Sequence, residues 1–292
     1  MTGDSPDVIP IVSRSSTLRV NPLRCTEQEL ISRLRKKGVV LQAVPNVPLA
    51  YTYSSSFSLG ATEEYLLGYY YLQELASMFP ILALSQVIPL SDLRILDMCA
   101  APGSKTTQLA SLMNNTGCIV ALEENMYRCN SLINNLERCG VSNTAVFHKD
   151  AQYVSDLRLT FDAVLLDAPC SGNFCSEKNW LFRRTPTDVR THTTIQKKLL
   201  STALRVLRPG GLLVYSTCSL EVEENEYILD TLPDRCSLLP VSLPLGSPGL
   251  SSWQNKVFRN DMHNAVRLWP HRDGTQGFFL AVIRKESDAQ EK

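Results

Sequence analysis

The feature that most constrains this chain is an alternation that begins near residue 70. Short apolar segments rich in Ile, Val, Leu and Ala recur between longer ones whose apolar residues fall at helical spacing. Segments 94–98, 118–122, 144–148, 161–167 and 212–216 read as strands, and 277–283 as a late strand. Segments 70–84, 105–112, 125–139 and 188–207 read as helices. Gly140 stops the third of these, and Pro209-Gly210-Gly211 closes the fourth. The acidic segment 221–232 also reads as helical, and 240–249 as loop. Buried strands this short, alternating with helices, specify a parallel sheet covered on both faces.

Residues 1–70 follow no such alternation and read as a small appended α+β subdomain. Segment 16–20 suits a strand and 26–37 a helix. Thr26 is placed to cap that helix, with Glu29 three residues on as a capping box and Gly38 at its end. Residues 39–65 read as short strands and loops, and 1–13 as loosely held. At 292 residues the chain suits one large domain or two small ones, here 1–70 and 71–292. No apolar run approaches the roughly 18 residues that span a bilayer, and Met1 to Arg14 lack a signal-peptide pattern. The expectation is a cytoplasmic monomer. The chain has nine cysteines, with no Cys-x-x-Cys spacing and no close His pair. The chain's size excludes a small disulfide scaffold and the spacing argues against zinc, leaving thiols in a reducing compartment.

Segment 95–110, ILDMCAAPGSKTTQLA, is a strand, a tight turn and a helix start. Gly103 permits close backbone approach, and the helix N-terminus favours negative groups. The turn matches neither the dinucleotide fingerprint nor a Walker loop, so alone it could be a mere connection. The acids at the strand ends argue otherwise. Asp97 ends the first strand of the alternation, and Glu123 ends the second, 26 residues later, where an acid can accept both hydroxyls of a ribose. Asp150 lies just past the third, suited to an adenine amino group, and Asp167 ends the fourth. Each could cap a helix or turn. Four in register instead suit a nucleoside-bearing cofactor without pyrophosphate, of which S-adenosylmethionine is the common one.

Two cysteines follow the ends of the fourth and fifth strands: Cys170 in DAPCSG and Cys218 in YSTCS. Both should face the cofactor cleft. A thiolate is a strong nucleophile, and cytosine C5 is a poor one. Thiolate attack on C6 turns C5 into an enamine carbon that can accept a methyl group. An acid near ring N3 must hold the proton that stabilises the adduct, and Asp167 is placed for it. Chemistry alone leaves open which thiol attacks. Cys25, Cys118, Cys129, Cys139 and Cys236 read as packing, and Cys175 as undecided.

LDMCAAPGSKT, LLDAPCSGN and YSTCSLEVEENE, in this order, resemble the Sun/Fmu-type RNA cytosine-5 methyltransferases over roughly residues 14–285. The compact length is similar to archaeal members that modify tRNA. The resemblance implies a Rossmann-like S-adenosylmethionine-dependent fold, a mostly parallel seven-stranded sheet with a small N-terminal RNA-binding subdomain. It implies Cys218 as nucleophile and Cys170 as the thiol that assists product release. It implies a methionine-side loop from Cys99 through Ala100, Ala101, Pro102, Gly103 and Ser104 to Lys105, with Lys105 near the target base. Glu123 would hold the ribose, Asp150 the adenine, and Asp167 the base and cofactor; Arg128 matches a family arginine. The family's Gly-Gly-Lys is here Gly103-Ser104-Lys105, and the family's Lys-Asn pair is kept as Lys178-Asn179.

Twenty-nine basic residues balance twenty-nine acidic ones, so any RNA signal must be local. Arg14, Arg19, Arg24, Arg33, Arg35, Lys36 and Lys37 form one basic cluster; Lys178, Arg183, Arg184, Arg190, Lys197, Lys198, Arg205 and Arg208 form another. Arg259, Arg267 and Arg272 could add to them. Trp180 and Phe182 suit stacking on unpaired bases, whereas Tyr69 to Tyr71 read as packing. The expected partner is RNA, tRNA before ribosomal RNA, with no metal and no membrane. A DNA methyltransferase using Cys170 for attack is one rival; a non-catalytic RNA-binding factor is another.

Overall fold

The computed structural model describes residues 16–175 and 180–287. The expectations for residues 1–13, Arg14 and Lys178-Asn179 lie outside them. The N-terminal sheet contains β1 (Thr17–Val20), β2 (Val40–Ala43), β3 (Ala50–Ser54) and β4 (Tyr70–Leu72), in the antiparallel order β2-β3-β1-β4. Helix α1 (Glu27–Lys36) packs Leu30 and Leu34 onto it; the Thr26 side chain accepts from the Glu29 N–H. A four-residue helix, α2 (Glu63–Leu66), leads into β4.

The expected helix over 70–84 is corrected. Tyr70 to Leu72 pair with β1, Leu18 facing Leu72 and Val20 facing Tyr70. Aromatic residues suit a half-buried pleat, and β1 offers the open edge. Helix α3 (Phe79–Val87) begins where Pro80 fits the first turn, the place where a missing N–H costs nothing.

The main sheet follows the expected alternation: β5 (Arg94–Asp97), α4 (Ser104–Leu112), β6 (Cys118–Glu123), α5 (Met126–Cys139), β7 (Thr144–His148), β8 (Phe161–Asp167), α6 (Trp180–Arg183), α7 (Pro186–Val206) and β9 (Leu207–Thr217). Helix α5 is capped by Asn125 and ended by Gly140 at φ +73°; α7 opens on a Thr185–Asp188 capping box. Strands β7-β6-β5-β8-β9 are parallel. The remainder is antiparallel: β10 (Cys236–Leu239), β11 (Ser247–Pro248), β14 (Val266–Leu268) and β15 (Phe278–Lys285), with β15 against β9 and β10 and β14 sharing its far edge. The hairpin of β12 (Ser252–Trp253) and β13 (Lys256–Val257) stands apart. Among the described residues the sheet thus has nine strands rather than seven, because short edge strands hold too few residues to show a period. Segment 221–232 is mostly turn, with α8 (Glu226–Leu229) its only α-helix. Asn225 Nδ2 donates to the Ser219 carbonyl at 2.9 Å there, a side-chain bond to backbone that competes with helix.

Alternating strand residues face two helical layers. Leu96, Val164, Leu166 and Leu213 pack with Leu199, Leu200 and Ala203 of α7. Ile95, Ile119, Leu165 and Val214 pack with Ile81 and Leu84 of α3 and with Leu109 and Ala110 of α4. The chain enters at β5, moves out to β7 and returns to β8. The β5–β8 junction is therefore a topological switch point, where a crevice opens beyond the strands' carboxyl ends.

Candidate active site

That crevice holds a cleft of about 220 Å³, lined by Cys99, Ala101, Glu123, Arg128, Asp150, Asp167, Cys170 and Cys218 among others. The expected site residues from β5, β6, β8 and β9 and the turn after β7 are thus brought to one edge. Gly103 caps α4 at φ +100°, and a Cβ there would stand 3.0 Å from Leu132 Cδ1. The turn is held by two side chains of α5 and by a bond of its own. Arg128 Nη2 donates to the Ala101 carbonyl at 2.7 Å, Asn135 Nδ2 to the Pro102 carbonyl at 2.9 Å, and the Gly103 N–H to the Ala100 carbonyl at 2.8 Å. Ser104 opens the helix, so serine is compatible with this turn.

Glu123 is buried, accepts from the Asn125 N–H at 3.0 Å and lies 3.5 Å from Arg128 Nη1. Asp150 caps the short 3₁₀ helix Ala151–Leu157, accepting from the Gln152 N–H at 2.8 Å, while still lining the cleft. Capping and cleft-lining coexist in that one residue.

Sequence reasoning counted Asp97 among the four strand-end acids but gave it no contact of its own. It is 1% exposed. One carboxylate oxygen accepts from Thr106 Oγ1 at 2.7 Å; the other, Oδ1, is buried without a hydrogen-bond partner. Burial pushes its pKa up to about 6, and the nearby Asp167 charge adds to the rise. A buried oxygen without a partner calls for a donor. With the open helix N-terminus beside it and Glu123 beyond, the set fits S-adenosylmethionine: an ammonium donor at Asp97, a carboxylate at the turn and a ribose diol at Glu123.

At the other end, Lys105 Nζ is 2.6 Å from Asp167 Oδ2, and Ser216 Oγ donates to Asp167 Oδ1 at 2.6 Å. Both oxygens of Asp167 are thereby oriented. Cys170 and Cys218 are half-buried, with their sulfurs 3.1 Å apart. The contact with Cys218, with burial second, holds the Cys170 thiol well above its ordinary range. Two further residues escaped the sequence reading. Asn173, fully buried, donates through Nδ2 to the carbonyls of Cys218 at 2.5 Å and Gly277 at 3.0 Å. Glu224, fully buried, accepts from the Ser171 N–H and Oγ, each at 3.1 Å, and burial raises its pKa. Their signal was adjacency to the cysteine motifs, in SGN and LEVEENE. Cys25, Cys129, Cys139 and Cys236 are buried as expected, but Cys118 is exposed at the start of β6.

A family model described as 16S rRNA methyltransferase RsmB/F matches residues 86–284. This chain belongs to that family. It is 39% identical to a mouse 28S rRNA (cytosine-C(5))-methyltransferase across 95% of this chain, but spans only 36% of that relative. It is 39% identical to a Pyrococcus abyssi tRNA (cytosine(49)-C(5))-methyltransferase, covering 92% of this chain and 88% of the relative. A solved methyltransferase homolog from Pyrococcus horikoshii superposes with TM-score 0.83 at 40% identity, covering 94% of this chain and 87% of that one. NSun6 from the same organism gives 0.83 at 26% identity, covering 95% and 93%.

The basic clusters fare unevenly. Arg19 is buried, Arg24 donates to the Glu137 and Arg138 carbonyls, and Arg33 and Lys37 pair with Glu64. Arg267 is fully buried against Glu226, and Arg259 pairs with Asp261. Arg184 pairs with Glu221 and Arg208 with Asp162. These cations are spent on the fold. Tyr70 and Tyr71 are buried, Trp180 donates its indole N–H to the Ser171 carbonyl, and Phe182 is 89% exposed. Among the described residues no helix is long and apolar enough to cross a membrane, and no His/Cys/Asp/Glu group could hold a metal.

Proposed function

We propose that this chain transfers a methyl group from S-adenosylmethionine to C5 of a cytosine in RNA, through a covalent bond between cysteine sulfur and C6. The observation that carries it is the pair of thiols at 3.1 Å beside the Lys105–Asp167 pair, at the end of the cofactor-shaped cleft. NSun6, of the same architecture, was solved with SFG, an analogue of S-adenosylmethionine. The relatives named above as cytosine-C5 methyltransferases act on RNA, and tRNA is taken as substrate because the tRNA-modifying relative is nearly spanned.

Cys218 is the nucleophile in this reading. Its Sγ–C6 bond forms as the C5=C6 electron pair shifts toward C5; the proton that the thiol gives up passes to N3, where the Asp167 carboxylate, oriented by Lys105 and Ser216, accepts a hydrogen bond from it. When bound, the cofactor supplies an electrophilic methyl group. A base then removes the C5 proton, the Sγ–C6 bond breaks and the double bond returns. Cys170, 3.1 Å from Cys218, lies close enough to assist in that release. The target base must leave any stack to enter between these groups. Residues 1–70 are assigned to RNA holding, supported by exposed Arg35 and Lys36 on α1. Two working thiols require a reducing setting, and the cytoplasm is the compartment assigned in this reading.

The test uses methyl-labelled cofactor and unmodified tRNA with wild type, Cys218→Ala and Cys170→Ala, resolved on denaturing gels. Wild type should label tRNA. Cys170→Ala should trap a labelled protein–RNA adduct, and Cys218→Ala should give neither adduct nor product. Reversed roles would support the DNA-type assignment.

A further inference from the structure

The outward face of α7 carries cations that neither the fold nor the site consumes. Lys197, Lys198 and Arg205 are exposed there, and Arg235 is exposed across a trough from them. Ser201 lies between them on the same face, as the 3.6-residue period requires. Two shallow depressions, of about 560 and 410 Å³, share Lys197, Ser201 and Arg205 as their common ridge. No carboxylate lines either one. The first is bounded by Arg235 and Lys285, the second by Lys198 and the 60% exposed Tyr153. Lys197, Lys198, Arg205 and Arg235 enter no ion pair among the described residues, whereas Lys285 Nζ is held by the Leu204 and Leu207 carbonyls. In a chain of zero net charge, an unbalanced positive face is a local excess of potential.

Position adds to charge. Gln152 borders both the Tyr153 depression and the catalytic cleft, so the face begins where the cleft ends. From Lys197 to Arg205 the ridge runs roughly 12 Å along the helix. Lysine and arginine beside an exposed aromatic ring match the backbone and one unpaired base of a single strand.

We propose that this face is a track for single-stranded RNA flanking the target cytosine. Lys197, Lys198, Arg205 and Arg235 contact phosphates, and Tyr153 stacks on an unpaired base. The proposal rests on the RNA reading above.

The test measures methyl transfer to an unmodified tRNA transcript across a salt series. It compares wild type with the triple variant Lys197→Gln/Lys198→Gln/Arg205→Gln, and separately with Tyr153→Ala and Tyr153→Phe. Glutamine keeps helix propensity on an exposed face, and circular dichroism with a thermal melt checks that the fold persists. The expected result is a KM for RNA raised roughly tenfold or more, with kcat within about twofold. The slope of log affinity against log salt should become shallower by about 2, since each single-strand phosphate contributes roughly 0.7. Tyr153→Ala should weaken binding roughly fivefold or more and Tyr153→Phe should restore it. An active wild type with unchanged KM and salt slope in the triple variant would overturn the track and leave the cations to an acidic protein partner. A wild type that methylates no RNA at any salt would instead overturn the functional reading, and the track with it.

Discussion

Asp97 joins a cost in stability to a gain in binding. Its folded pKa of about 6 lies above the ordinary 3.8, so the native state holds this proton more tightly than the unfolded chain does. The associated stability is therefore fully present below about pH 4 and is lost as pH rises toward 6. Asp97→Asn should stabilise the cofactor-free protein above pH 6 by about 1–3 kcal/mol, read as a shift in melting temperature, while weakening S-adenosylmethionine binding in calorimetry. Equal stability of the two proteins at pH 7 would refute the argument. Asn173 makes a different prediction. Its two donors tie the Cys218 loop to the start of β15. Asn173→Ala strands two buried carbonyls and should cost about 1–3 kcal/mol. It should also lower single-turnover methylation by roughly ten- to a hundredfold, because displacing a reacting group by about 1 Å costs that much. The Asp97, Asp167, Cys170 and Cys218 pattern was legible from strand ends alone. Asn173 and Glu224 were not, since their roles depend on which carbonyl or N–H lies opposite, and no spacing rule encodes that.

At the scale of elements, the turn between β5 and α4 takes a backbone conformation that side chains resist. Gly103→Ala adds a Cβ at φ +100° and at 3.0 Å from Leu132 Cδ1. The strain should cost about 1–3 kcal/mol and tilt the helix N-terminus, raising the cofactor Kd measured by calorimetry; an unchanged Kd would show that the turn yields. Helices α5 and α7 were readable to within two residues from their amphipathic faces; Gly140 ends α5 as expected, whereas Pro209-Gly210-Gly211 lies inside β9, past the end of α7. The segment from Tyr70 to Leu84 was misread because a run of apolar residues satisfies helix and strand alike. Pro80 carried the deciding local signal, and the open edge of β1 the deciding tertiary one.

The whole molecule is held as one piece by contacts that the N-terminal basic residues make inward. Arg19, 3% exposed, donates to Gln73 Oε1 at 2.8 Å, to Thr107 Oγ1 at 2.9 Å and to the Ser104 carbonyl at 3.3 Å, so the small sheet is pinned to α4 beside the cofactor turn. Burial lowers its pKa to about 10, which leaves it charged at neutral pH. Asn21 Nδ2 adds bonds to the Gly68 and Cys139 carbonyls, both at 2.8 Å. Arg19→Ala should cost about 2–3 kcal/mol and expose the small sheet to limited proteolysis ahead of the main sheet; simultaneous cleavage of both would contradict the pinning role. The sequence by itself determined the parallel sheet, the order of its elements and the acids and thiols at its carboxyl edge, because strand and helix periods and turn chemistry are local. Only the tertiary structure decided which cations remain available to a ligand, that the two sulfurs meet at 3.1 Å, and that Asp97 keeps an oxygen without a partner. Those outcomes depend on what lies opposite each group once distant segments are packed together, and no local pattern carries that information.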